Sequence, residues 1–172
     1  MIRTGLIAAA MSLGLVGAAS ATTVTVESAA NSSGGGVGLA TGFVLAAGDA
    51  FQVWANIRDT WSLGNNDPGC TRESNADGLT ACFPAYNQGN LTTRYGTLVG
   101  QIGSGDFFVV GSHFSGTALT SGELHLYNWD SNTGDNSGSI AAKLGAVPLP
   151  AGGLLLLGAL GGIAALRRRK SV

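Results

Sequence analysis

GELHLYNWDSNTGDNSGSIAAKL, residues 122–144, is the stretch whose reading decides the fold. Its first part alternates: His125 lies between Leu124 and Leu126, the period-two pattern of a strand buried on one face, so His125 is read as facing outward. A second run, Ser137 to Leu144, follows the same rule. Between them lies a connection dense in Asn, Asp, Ser and Gly. Outward from this pair, Thr22 to Glu27 alternates Thr with Val, and Gly36 to Ala46 and Phe51 to Ile57 flank the turn-type Gly48-Asp49. Tyr95 to Ile102 and Asp106 to Ser112 continue the pattern. No stretch of helical period occurs between residues 22 and 146. Many short strands separated by Gly, Asn, Asp and Ser predict an all-β fold, a single antiparallel β-sandwich or jelly roll. Residues 58–94, rich in Asn and Gly, are read as a long loop insertion, and Ser32 to Gly36 as a flexible turn rather than a phosphate cradle, because no helix follows it.

The two ends concern destination. Arg3 precedes an apolar stretch from Leu6 to Ala19, and Ala19-Ser20-Ala21 fits a signal-peptidase site, so residues 1–21 are expected to be a signal peptide and Thr22 the mature N-terminus. At the other end, Val147-Pro148-Leu149-Pro150-Ala151 leads into an uncharged apolar run to Leu166 and the cluster Arg167, Arg168, Arg169, Lys170. As a helix, residues 151–166 would span about 24 Å. Four basic residues in succession oppose translocation and favour the cytoplasmic side. Residues 147–172 resemble the VPLPA-CTERM sorting tail, a relative of PEP-CTERM tails handled by exosortase-type membrane proteases in Gram-negative bacteria. The resemblance implies transient inner-membrane anchoring, cleavage near the box, and delivery to the cell surface or an exopolysaccharide matrix.

Residues 22–146 leave one domain of ordinary size. All ten acidic residues fall within it against Arg58, Arg72, Arg94 and Lys143, a net charge of −6. That balance argues against nucleic acid and suits cation binding or plain solubility. Cys70 and Cys82 in an exported chain are expected to form a disulfide.

The connection Asp130–Ser139 is the densest cluster of oxygen ligands in the chain. Calcium takes six to eight hard oxygens from carboxylates, amides, backbone carbonyls and water. Asp130, Asp135 and Asn136 supply candidate side chains, and the loop's lack of Cys and His disfavours soft metals. It is not an EF-hand, because Gly134 and Ala141 stand at the fifth and twelfth positions. An ion-free Asn/Asp/Gly hairpin connection is the competing account.

The chain from about Val24 to Leu144 is similar to the PA-IL-type galactophilic lectin family, small calcium-dependent β-sandwich modules. The matching pieces are VLAAGDAFQV (44–53), DTWSLG (59–64), RESNADGL (72–79), LVGQIG (98–103) and DNSGSI (135–140), in that order. The resemblance implies that Asp130, Asp135 and Asn136 are side-chain calcium ligands and that Leu63 gives a backbone carbonyl, with another from near Asn132 or Thr133. It also implies that the ion ligates two sugar hydroxyls, with Ser74 and Asp77, beside Asp130 and Asp135, in the sugar-contacting part. Departures are a shorter loop between Asp130 and Asp135, Ser74 and Asp77 in place of the family's His and Gln, and an insertion at 80–94, which together put galactose specificity in doubt.

Catalysis is not expected. Neither His113 nor His125 sits in a nucleophile or zinc motif, and Asp67, Glu73 and Asp77 lie among Asn, Ser and Arg as solvated charges. Trp54 is assigned to the core. Trp61 and Trp129 border the proposed ion site, where stacking on a sugar and core packing are both open. The expected function is an exported, calcium-dependent module that binds extracellular polysaccharide or another glycan. The runner-up is a structural surface or matrix protein with no discrete sugar site.

Overall fold

The computed structural model describes residues 21–35, 37–64, 68–81, 83–147 and 161. The expected signal peptide up to Ser20 and the sorting residues Pro148, Leu149, Pro150, Ala151, Arg167, Arg168 and Arg169 lie outside the described residues. Among the described residues no helix is long and apolar enough to cross a membrane.

Twelve strands are described: β1 (Ala21–Glu27), β2 (Leu39–Leu45), β3 (Ala50–Ala55), β4 (Trp61–Leu63), β5 (Glu73–Ser74), β6 (Ala85–Gln88), β7 (Leu91–Arg94), β8 (Leu98–Ile102), β9 (Phe107–Val109), β10 (His113–Thr117), β11 (Gly122–Asn128) and β12 (Asn136–Ala146). Every strand pairing is antiparallel. The first sheet runs β10-β3-β12-β4-β5 with β1 also on β12, the second runs β2-β11-β8-β9, and β6-β7 is a separate hairpin. In the first sheet, β12 pairs with β4 through Asn136–Gly138 and with β3 through Ala142–Ala146.

The period-two pattern is what turns one face of each strand inward. Val26, Val53, Ile140, Ala142 and Leu144 from the first sheet meet Leu45, Leu98, Ile102, Leu124 and Leu126 from the second in one core. Full burial of such a side chain is worth about 1.5–3 kcal/mol, so this interface dominates the favourable side of folding. Phe51, Phe108 and Phe114 close one end, with ring centroids 4.9–6.2 Å apart. Gly48, at φ 97°, turns the chain from β2 in one sheet to β3 in the other, its N–H donating to Ala118 O at 2.8 Å.

The structure corrects three expectations. Residues 58–94 are not a bare loop: they carry the paired strands β4 and β5 and the whole β6–β7 hairpin. Trp54 is not a core residue. Alternation buries Phe51, Val53 and Ala55 and sends Trp54 to the outer face, 38% exposed and against the His113 ring. The Ser32–Gly35 turn is packed rather than loose, since Ser32 and Ser33 are buried and Ser32 bridges to Asn128. Strand β10 also falls outside the expected set: its burial alternates, but Phe114 is the one large apolar side chain among its five residues, so the sequence shows no period.

Candidate functional site

At the end of β11 the chain is locked before it reaches the loop. Trp129 is fully buried, its indole N–H donates to Tyr86 O at 3.0 Å, and its backbone exchanges hydrogen bonds with Gly96 and Thr97. Trp61 is likewise buried and donates to Gly96 O. Both indoles are therefore core groups, and the stacking role open to them in the sequence is closed by burial.

Asp130 follows directly and is 5% exposed. The Ser33 hydroxyl accepts from Asp130 N at 3.2 Å, and the Ser32 and Ser33 hydroxyls donate to Asp130 O at 3.3 and 3.2 Å. A Cβ on Gly34 would lie 2.3–2.5 Å from Ser131 and Asp130 backbone atoms, so glycine is what lets the two loops touch. Asp130 Oδ1 accepts from Ser131 N at 2.8 Å. Burial pushes the Asp130 carboxyl above the ordinary carboxylate range, against the opposing pull of hydrogen bonds from the Asn136 side chain and the Ser131 and Asn132 backbone; the nearby Asp135 carboxylate adds to the rise.

The loop then folds back on itself. Asn132 Nδ2 donates to Asp135 Oδ1 at 2.9 Å, and Asn136 Nδ2 donates to the Asn132 carbonyl at 2.8 Å. Asn136 opens β12 in register with Leu63 of β4, which brings that strand to the loop. Gly64, at φ 111°, completes the approach: a Cβ there would sit 2.5 Å from Asp135 Oδ2. Arg72 Nη1 is 4.0 Å from the same oxygen, and its guanidinium lies 5.1 Å from the centre of the Phe83 ring.

These groups surround a cavity of about 180 Å³ lined by Leu63, Arg72, Leu79, Phe83, Tyr95 and the loop residues Asp130, Ser131, Asn132 and Asp135. Of the residues singled out in the sequence, Asp130, Asp135, Asn132 and Leu63 line one space, and Asn136 holds the Asn132 carbonyl from outside that lining. Ser74 and Asp77 do not join them. The Ser74 hydroxyl is buried and donates to Asn75 O at 2.7 Å, while Asp77 Oδ1 accepts from Ser112 N, on the far side of its turn. Cys70 is disulfide-bonded; the chain's other cysteine, Cys82, lies outside the described residues.

The donor set is hard. Two carboxylates, the Asn136 amide and backbone carbonyls meet, and among the described residues no cluster of three His, Cys, Asp or Glu forms. Asn136 Oδ1 is buried with no hydrogen-bond partner, while the Nδ2 end of the same amide is turned to the Asn132 carbonyl and the Asp130 carboxyl. A cation beside Asp130 and Asp135 would relieve the repulsion between their carboxylates. The residues present therefore fit a calcium ion.

Sequence reasoning did not single out Arg72, Leu79, Phe83 and Tyr95 as wall residues, nor Ser32, Ser33 and Gly34 as the loop's support. Arg72 and Leu79 stand at the two ends of the RESNADGL piece, which was the available signal. Nothing in the sequence points to Tyr95, whose hydroxyl reaches Ser131 Oγ at 3.4 Å and whose ring stacks on Tyr86.

The arrangement of antiparallel sheets recurs in a solved structure described as the EclA N-terminal domain, a PllA-like lectin. The fold is similar to that of a PllA-like lectin. The match has a TM-score of 0.51 and 21% identity, and it covers 73% of this chain and 95% of that one. At that identity the likeness concerns the fold. No protein-family model matches the chain, and no curated protein does.

Proposed function

We propose that the chain is an exported, surface-sorted carbohydrate-binding module that holds calcium in the Asp130–Asn136 loop and acts by reversible association. The observation that supports this reading is the meeting of the Asp130 and Asp135 carboxylates in one cavity walled in part by apolar and aromatic side chains. Calcium bound there supplies open coordination positions that vicinal sugar hydroxyls take in place of water. The chain's own residues do the rest: Asp130 and Asp135 supply charge, Asn136 and the Asn132 and Leu63 backbone supply neutral oxygens, and Tyr95, Phe83 and Leu79 offer a face to a sugar's C–H groups. The lectin-like fold supports a binding protein, and the sorting tail supports a surface address.

The test is a thermal melt with calcium and with chelator, followed by calorimetry and a glycan array in saturating calcium. Calcium at a hundred times its Kd should stabilise the fold by about 2.7 kcal/mol, and Asp130→Asn and Asp135→Ala should each abolish that response. A melting curve indifferent to calcium, or a folded calcium-loaded protein that retains no glycan, overturns the reading.

A further inference from the structure

We propose that the chain forms a symmetric dimer through β1, whose open edge pairs antiparallel with β1 of a second copy about a twofold axis at Val24. The pairing itself does not depend on the calcium reading. Strand β1 lies on β12 along one edge only. Which main-chain groups this leaves open follows from the hydrogen bonds at its end. Ser28 N–H donates to Gly138 O of β12, whereas Glu27 N–H donates to Asn31 Oδ1 and Glu27 O accepts from Asn31 N–H, on the side away from β12. Peptide groups alternate sides along an antiparallel strand, so Thr22, Val24 and Val26 address β12 while Thr23 and Thr25 address the open edge. No described residue hydrogen-bonds the main chain of Thr23 or Thr25 there.

The other sheet edges are blunted. β9 and β5 have three and two residues, β2 carries a register shift between Glu123 and His125 of its partner, and β10 has Ser115 and Gly116 among its five residues. Residues 22–26 are instead all β-branched, stiff at χ1 and without charge, Pro or Gly. Their open groups are symmetric about Val24, which is what makes a second copy the occupant. A twofold axis there sets Thr23 opposite the second copy's Thr25, and the reverse, so that these pairs exchange about four hydrogen bonds in all. This register uses the whole open edge: Asn31 already holds Glu27 at one end, and the expected mature chain begins at Thr22 at the other. Threonines then face threonines on the outer surface, and the half-buried Val24 meets its own copy on the inner one. On the export reading, the Thr22 α-ammonium stands near the second copy's Glu27, the charged residue of β1. Within one copy, Glu27 lies opposite Ser139, toward the cavity loop, and Ala21 lies opposite Gly145, toward the tail. The axis reverses one copy against the other, so the two cavities sit at opposite ends of the dimer. Such a module bridges two polysaccharide chains instead of gripping one, a consequence that rests on the calcium-dependent reading.

The experiment is sedimentation equilibrium of the exported chain, tail included, in density-matched detergent. The wild-type chain should show a reversible monomer–dimer equilibrium that chelator leaves unchanged. Thr23→Glu/Thr25→Glu sets like charges opposite each other across the axis and should weaken the dimer about tenfold, and Thr23→Glu/Thr25→Lys sets opposite charges there and should restore it. Val24→Cys should give a covalent dimer on air oxidation, because directly opposed residues of a non-hydrogen-bonded pair lie about 4.5 Å apart at Cα, within disulfide reach. This variant leaves the threonines in place and decides the matter if either double variant fails to fold. A wild-type chain that stays monomeric overturns the inference. So does a dimer that Thr23→Glu/Thr25→Glu leaves intact, as one held by the apolar tail or by β10 would be, or one that Thr23→Glu/Thr25→Lys does not restore, or an oxidised Val24→Cys chain that stays uncross-linked. A monomer that still responds to calcium and binds glycan leaves the proposed function standing. A β1 dimer with no calcium response leaves this inference standing and overturns its bridging consequence.

Discussion

Asp130 carries two opposing demands. Its carboxyl is buried and held above its ordinary range, chiefly by desolvation, so in the metal-free protein the ionised form is the costly one. A carboxyl whose folded pKa is raised contributes stability that is complete below the unfolded value and is lost as pH rises through the folded one. The metal-free protein should therefore gain stability on acidification through that window. Calcium binding should move the opposite way: protons compete for Asp130, so affinity should begin to fall at a pH above the usual carboxylate range. Calorimetry across the acid range checks both signs, and Asp130→Asn should flatten the metal-free stability profile; an unchanged profile in that variant shows that another group titrates. At this scale the sequence was legible where residues are neighbours in the chain, as in the Asp130–Asn136 run, whose Asp130, Asn132 and Asp135 line one cavity. Ser74 and Asp77 were not legible, because which way a side chain points depends on partners such as Gly96 and Ser112 that are remote in sequence.

Elements separate by the same rule. β11 and β12 announce themselves because seven and eleven residues give the alternation room to repeat. β4, β5, β6 and β7 span two to four residues each, too few for any period to register; β12 offers β4 its backbone partners, β4 offers them to β5, and β6 and β7 pair with each other. Trp54 shows the opposite failure. Its size suggested the core, but its place in the β3 alternation sends it outward, and parity outweighs hydrophobicity there. The segment from Cys70 to Phe83 carries Arg72 and Leu79 to the cavity wall and is tethered by the Cys70 disulfide. Closing a loop of roughly a dozen residues contributes about 3 kcal/mol on the chain-entropy model. Reduction, or Cys70→Ser, should lower the melting midpoint by several degrees and weaken sugar binding more than calcium binding, because the wall moves while Asp130, Asp135 and Asn136 stay on their own loop. Scanning calorimetry with and without reductant checks the first effect, and no change in midpoint would contradict it.

For the molecule as a whole, the two-sheet core depends on pairing that ends at Val147, whose N–H donates to Ala50 O at 2.9 Å. A chain stopped after Val147 keeps every described ladder. It should melt and respond to calcium as the full chain does, yet leave the membrane fraction on export. Fractionation reads this directly, and unaltered membrane retention would contradict the anchor.

Strand β12 begins at Asn136 beside the cavity and ends at Ala146, one residue before the sorting box. Eleven extended residues cover roughly 35 Å. The same strand thus serves as a spacer as well as a wall of the core, and under the proposed function a chain held by its tail would present the cavity from the far end of that strand.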